Sequence, residues 1–520
     1  MPPALGRPSN TLATHGKAGC DPIGKYFFSI ELPSLSIYHR KYGGIFMPRF
    51  SEYFQLNKSQ SELDFVDVSN DYDTPVYVDP YAIEIRDDIW AARASESIRS
   101  FFLEVMAALK AKDRFRATNL MSHLHEPRET FLGVSSGTPQ GLGVGAGQAG
   151  QLINAILGSA AYKSGLLTDL SEVALYVPGI DRDKISDLTT NIIRHLLQEY
   201  TEEQCDLFGI PVKPFSGPPG WDVNKKNWVS RYANLPDIDG EPVILIPKYI
   251  VRRNLSLNSQ EFYNKQITDF LVAENLKANS SLVQTIKGVS VVYKKDVREA
   301  NPPSKNFTAE IVLANPELLK LYKELAKRHS SLAVFNDEDP SVTAICGRLV
   351  PLFNQIPTGA KAASDYHNLI TGALTALFYP DLIQPHKEWE IHDGRKRIDI
   401  VFTNAADDGF FAQRRDDRAT RANTVVVECK NYTSDIHNQE IDQLLGRFDK
   451  NRGYFGIITC RNIEDKVTLE KRLRDAATRH QGYIVALTDK DIIEMLDWKA
   501  SLNDDAIRAK LFGMYRALLA

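Results

Sequence analysis

The run Val425-Val426-Val427-Glu428-Cys429-Lys430 constrains the fold of this chain more than any other stretch. Three consecutive β-branched residues favour a strand, and apolar side chains on both faces need cover on both, which suits a central position in a sheet. Successive strand side chains point to opposite faces, so Glu428 and Lys430 emerge side by side. Cys429 points the other way and is expected to be a packed small residue rather than a nucleophile. A second acid, Asp399, lies in the apolar run Arg397-Ile398-Asp399-Ile400-Val401-Phe402, where an unpartnered carboxylate is costly to bury.

The pattern around these two runs is legible from 356 to 500. Gln355-Ile356-Pro357-Thr358-Gly359-Ala360 reads as an interdomain joint. Ser364 or Asp365 can cap a helix with the apolar stripe Leu369, Ile370, Ala373, Leu374, Leu377 and Phe378, stopped at Pro380. Glu388-Trp389-Glu390-Ile391 reads as a strand, and Asp393-Gly394 as a hairpin turn leading back through Asp399. A charged insertion over 404–421 precedes the strand ending in Lys430. Then come a helix built on Ile441, Leu444, Leu445 and Phe448, the strand 454–460, a helix with Leu469, Leu473 and Ala476, and the strand 483–487.

Asp399 on the second strand, Glu428-Cys429-Lys430 ending the third, and this order of elements resemble the PD-(D/E)XK nuclease superfamily, in its restriction-endonuclease-like branch. The resemblance covers Ser364 to Lys499 only. It implies an α/β domain with an αβββαβ core and a phosphodiester hydrolase dependent on Mg²⁺, or on Mn²⁺. Mg²⁺ is a hard octahedral ion that takes a pair of carboxylates and keeps waters and phosphate oxygens, and Asp399 and Glu428 would be that metal-binding pair. Lys430 would orient or deprotonate the attacking water and add positive charge beside the scissile group. Gln443, one helical turn before Arg447 in the following helix, would position substrate or water. Double-stranded DNA is the implied partner, with a role in restriction or anti-phage defence by analogy, and a homo-oligomer is left open. Many relatives carry a glutamate in the first helix, where this chain offers Asp365 or His367.

Other charges around this pattern have two readings. Arg414, Arg415 and Arg418, with Lys387, Arg395, Lys396, Arg397, Arg452 and Arg461, could line the mouth of a site for a phosphate backbone. The first three could equally form an exposed insertion of mixed charge. His386 and His392 flank the hairpin strand and read as peripheral.

At 520 residues the chain exceeds one core, and two or three domains are expected. With 43% apolar and 25% charged residues it is composed as a globular protein, which excludes general disorder. A net charge of −4 excludes a globally basic coat for nucleic acid, though not a local basic groove. Five scattered cysteines without knuckle spacing suggest reduced thiols in a cytoplasm. No apolar run approaches the roughly 20 residues of a membrane span, so no membrane partner is expected. Residues 1–46 lack helical or strand period and read as a disordered extension, with Met47 as the initiator. Residues 501–520 are expected to be a C-terminal helix.

Residues 47–355 read as a mixed α+β, largely helical recognition or regulatory region. Leu63–Val68 and Val76–Pro80 alternate as a hairpin with a polar outer face carrying Asp64, Asp67, Asp73 and Asp79, and a second metal site is the sharper alternative. Helices are expected over 95–112 and, capped by Asp183 or Ser186, around Leu188–Leu197. His123 and His125 lack a partner cluster. Val243–Pro247 reads as a strand with Lys248, Arg252 and Arg253 at a solvated or phosphate-contacting end. A glycine-rich loop over 133–150 opens a helix and could cradle phosphate, but no strand feeds it and no Gly-Lys-Ser/Thr follows. Two rivals therefore accompany the nuclease reading: a catalytically silent nucleic-acid-binding or scaffold protein, and a nucleotide-gated effector nuclease.

Overall fold

The chain divides into Met1–Phe46 and Met47–Ala520. The computed structural model describes residues 48–69, 74–132, 146–287, 289–329, 342–391, 396–479 and 481–519, all in the second unit. The extension before Met47, Asp73, most of the glycine loop, the Asp393-Gly394 turn, His392 and Arg395 lie outside the described residues.

The architecture is mixed α+β, with a five-stranded sheet in the C-terminal region. Two hydrophobic cores organise it. The first spans Phe50 to Ala326 with the addition of Ile383, and is built on the helices Ile89–Lys110, Arg182–Ile192 and Arg194–Phe208, with short two-stranded pairs around them. Ile98, Phe101, Phe102, Val105, Met106 and Leu109 form the buried face of the long helix, as their spacing predicts. Helix Arg182–Ile192 is capped by Asp181, not by Asp183 or Ser186; the Ser186 hydroxyl instead accepts from the Val78 amide at 2.9 Å.

Two strand expectations in this region fail for one reason, that the backbone finds distant partners. Tyr77–Val78 pairs antiparallel with Val251–Arg252, and Leu63–Val68 is not its hairpin mate. Val243–Ile246 is buried but forms no regular strand. Its amides donate separately to Pro236 O, Glu129 O and the Thr201 hydroxyl, and Ile246 O accepts from Val66. The acids there are structural rather than a polar outer face. Asp67 accepts from Ser51, and Asp79 caps Pro80–Glu84 and also accepts from the Ser256 amide.

The second core extends from Leu349 to Leu518 and includes Phe353, so the helix Val342–Gln355 packs into it. Its elements are α1 (Ala363–Phe378), β1 (Leu382–Ile391), β2 (Lys396–Asn404), α2 (Gly409–Asp416), β3 (Thr424–Lys430), α3 (Asn438–Leu445), β4 (Phe455–Cys460), α4 (Lys466–Thr478), β5 (Tyr483–Thr488), α5 (Asp489–Ala500) and α6 (Asp504–Ala517). The strands lie in sequence order, antiparallel from β1 to β3 and parallel from β3 to β5. β3 is therefore central, and Val425, Val426 and Val427 are all buried. Helix α1 lies against β1, β2 and β3. Its first turn follows a 3₁₀ turn at Ala360–Ala362, and neither Ser364 nor Asp365 caps it.

Strand β1 is longer than its sequence suggests because it carries a bulge between Ile383 and His386, with Gln384 at φ +50°. Pro385 is tolerated there because an edge strand at a bulge needs no donor. The bulge turns Gln384 into the first core. Its amide donates to Asp64 at 3.2 Å and its side chain to the Tyr249 hydroxyl at 2.6 Å.

Candidate active site

The end of β3 carries the chemistry-bearing side chains. Glu428 is fully buried. The Lys430 ammonium donates to Glu428 Oε1 at 2.8 Å and to Gln443 Oε1 of α3 at 3.1 Å. Two strand residues of like parity thus share a face, and the helix that follows delivers the glutamine. The second carboxyl oxygen, Glu428 Oε2, is buried and accepts no hydrogen bond from the protein.

Asp399 reaches the same strand end from β2. The two strands pair from Thr403↔Thr424 to Ile400↔Val427, so the next residues along them are Asp399 and Glu428. Asp399 Oδ2 accepts from the Cys429 amide at 2.8 Å, which fixes one carboxylate oxygen against the β3 backbone. Its side chain keeps some solvent exposure, whereas that of Glu428 has none.

The electrostatics follow from this crowding. Burial pushes the Glu428 carboxyl above the ordinary range, and the neighbouring Asp399 charge raises it further against the pull of Lys430 and Arg447. Burial alone would lower Lys430, but Glu428 and then Asp399 outweigh it, so the ammonium is held above its usual value. Two carboxyl groups, the Lys430 ammonium and the Arg447 guanidinium thus surround an oxygen without a donor. Asp399 and Glu428 are the residues that could hold a hard divalent cation there.

Of the two first-helix alternatives, Asp365 is exposed, while His367 Nε2 stands 3.9 Å from Asp399 Oδ2. Burial lowers the His367 imidazole, against the attraction of Asp399. The Cys429 thiol is buried as strand alternation predicts, yet it also lies within 4.8 Å of both the His367 and Asp399 donor atoms. That grouping escapes sequence reasoning because it depends on where α1 crosses the sheet.

The basic residues divide. Lys387 donates to Ser364 and Asn368 of α1. Arg447 is buried and its charge acts on Glu428. Arg414 is buried with its guanidinium 3.7 Å from the Tyr515 ring, so it is neither part of an exposed insertion nor a mouth residue. Arg461 pairs with Asp489 at 2.9 Å and donates to Phe353 O, and Arg452 pairs with Asp449. Lys248, expected at a strand end, is buried with its ammonium 4.0 Å from the Tyr379 ring. His386 packs edge-on against Trp389 and stands 3.9 Å from Glu203.

Residues 55–258 match a family described as a domain of unknown function (DUF8370), a stretch that ends before the sheet begins. Neither a curated protein nor a solved structure matches the chain. No helix among the described residues is long and apolar enough to cross a membrane.

Proposed function

We propose that the protein is a metal-dependent endonuclease whose restriction-endonuclease-like αβββαβ core lies within 356–500, with 47–355 as a recognition or regulatory region. The observation that carries this reading is the buried Glu428–Lys430 pair with Glu428 Oε2 unpartnered beside Asp399. A surface cross-strand ion pair would leave both groups solvated and would need no second acid. Here a fully buried carboxyl group keeps one oxygen without a donor beside a second acid, an arrangement that a bound cation would relieve.

Asp399 and Glu428 would hold Mg²⁺, or Mn²⁺, which when bound supplies positive charge to the phosphate and a more acidic water. The remaining roles belong to the chain. The Cys429 amide keeps the Asp399 carboxylate aimed at the strand end. Gln443 and Glu428 hold the Lys430 ammonium between them. Because its carboxylate neighbours keep Lys430 protonated, it acts as a fixed donor and positive charge for the attacking water or the phosphate, rather than as the base. Double-stranded DNA is the proposed substrate, in a cytoplasmic restriction or anti-phage role, by analogy with the restriction-like branch.

The test is cleavage of linear and supercoiled DNA, single-stranded DNA and RNA with Mg²⁺ or Mn²⁺, comparing wild type with Glu428→Ala and Lys430→Ala. Metal-dependent cutting by wild type alone supports the proposal. Absence of cleavage on every substrate would favour a catalytically silent nucleic-acid-binding protein.

A further inference from the structure

Strand alternation gives the end of β3 two chemically different faces. Glu428 and Lys430 offer hard oxygen and an ammonium. Around Cys429, which points to the other face, His367 of α1, Asp399 of β2 and Cys429 itself bring an imidazole nitrogen, a carboxylate oxygen and a sulfur within 4.8 Å of one another. The donors come from three separate elements packed together, and the His367 Nε2 to Asp399 Oδ2 separation is 3.9 Å. Donors around a tetrahedral zinc at about 2.0–2.3 Å lie roughly 3.3–3.8 Å apart, so small rotations of these side chains would close the set. Mixed nitrogen, oxygen and sulfur donors suit Zn²⁺, whereas Mg²⁺ takes oxygen and leaves a thiol aside.

We propose that His367, Asp399 and Cys429 form a second cation site, specific for Zn²⁺ or another thiophilic divalent ion, with one position open to water. Binding converts the Cys429 thiol to a thiolate and releases its proton to solvent. The partly exposed His367 and Asp399 side chains provide the way in. Asp399 would belong to both sites. On the nuclease reading given above, zinc would therefore withdraw Asp399 from the hard ion and silence cleavage. The zinc site itself does not depend on that reading.

The full chain, reduced and stripped of metal, should take up Co²⁺ with a thiolate-to-cobalt charge-transfer band in the near ultraviolet, displaced by Zn²⁺. Cys429→Ser should abolish the band, and both Cys429→Ser and His367→Ala should weaken zinc binding by about tenfold or more. Glu428→Gln should keep the band, since Glu428 supplies none of the three donors. No band in wild type, a band surviving Cys429→Ser, or unchanged zinc affinity in both variants would overturn the proposal. These readouts need no cleavage, so a protein that cuts nothing can still pass or fail them.

Discussion

Asp399 Oδ2 accepts a hydrogen bond from the backbone amide of Cys429 at 2.8 Å, so an acid on β2 is anchored to the residue between Glu428 and Lys430. The contact joins two faces of one strand end. It aims Asp399 toward Glu428 and keeps it beside the Cys429 thiol and His367.

The Glu428–Lys430 pair should be costly to break on one side only. Lys430→Met leaves a fully buried carboxylate without its ammonium and should destabilise the metal-free protein by about 3–5 kcal/mol in urea unfolding. The double variant Glu428→Gln/Lys430→Met removes both charges and should recover much of that loss. A loss in the double variant equal to the sum of the separate Lys430→Met and Glu428→Gln losses would show that the pair is not coupled.

Cleavage at limiting Mg²⁺ should rise with pH through a window above the ordinary carboxylate range, because a raised Glu428 carboxyl holds a proton where the metal would bind. Saturating Mg²⁺ should move the rise to lower pH by competing with that proton. Stability of the metal-free protein should change oppositely. From about 4.3, the value of a free glutamate, up to the raised folded value, the native state holds more protons than the unfolded chain. Glu428 therefore makes the protein less stable as pH rises through that window, and Glu428→Gln should flatten the slope in thermal scans.

Gln443→Leu should lower kcat by about tenfold or more while leaving the fold intact, since it removes one of the two acceptors that orient the Lys430 ammonium. The loss should lie in kcat rather than KM. Arg447, buried and acting on Glu428, should behave differently. Arg447→Met should raise the Glu428 carboxyl further and shift the pH profile upward.

Asp64 should matter for stability rather than chemistry. Fully buried, it accepts from the Tyr200 hydroxyl at 2.8 Å and from the Gln384 amide at the β1 bulge. Asp64→Ala strands two buried donors and should cost about 2–6 kcal/mol, at about 1–3 for each. Burial already pushes the Asp64 carboxyl up, so Asp64→Asn, of similar shape, should cost less. Denaturant unfolding of both variants checks the order.

Local pattern by itself determined the central strand and its two faces. The valines of 425–427 are buried on both sides, and alternation alone sets Glu428 beside Lys430. The order of helices and strands from Ala363 to Thr488 was equally legible except for α2, which folds within the stretch that reads as a charged insertion. Only the tertiary structure decided which first-helix residue meets Asp399, since Asp365 and His367 differ by the angle at which α1 crosses the sheet. It also decided that Asp64 serves Tyr200 and Gln384, and that Tyr77–Val78 pairs with residues far along the chain. A period of two or of 3.6 residues encodes which side of an element is buried, but not which distant segment buries it.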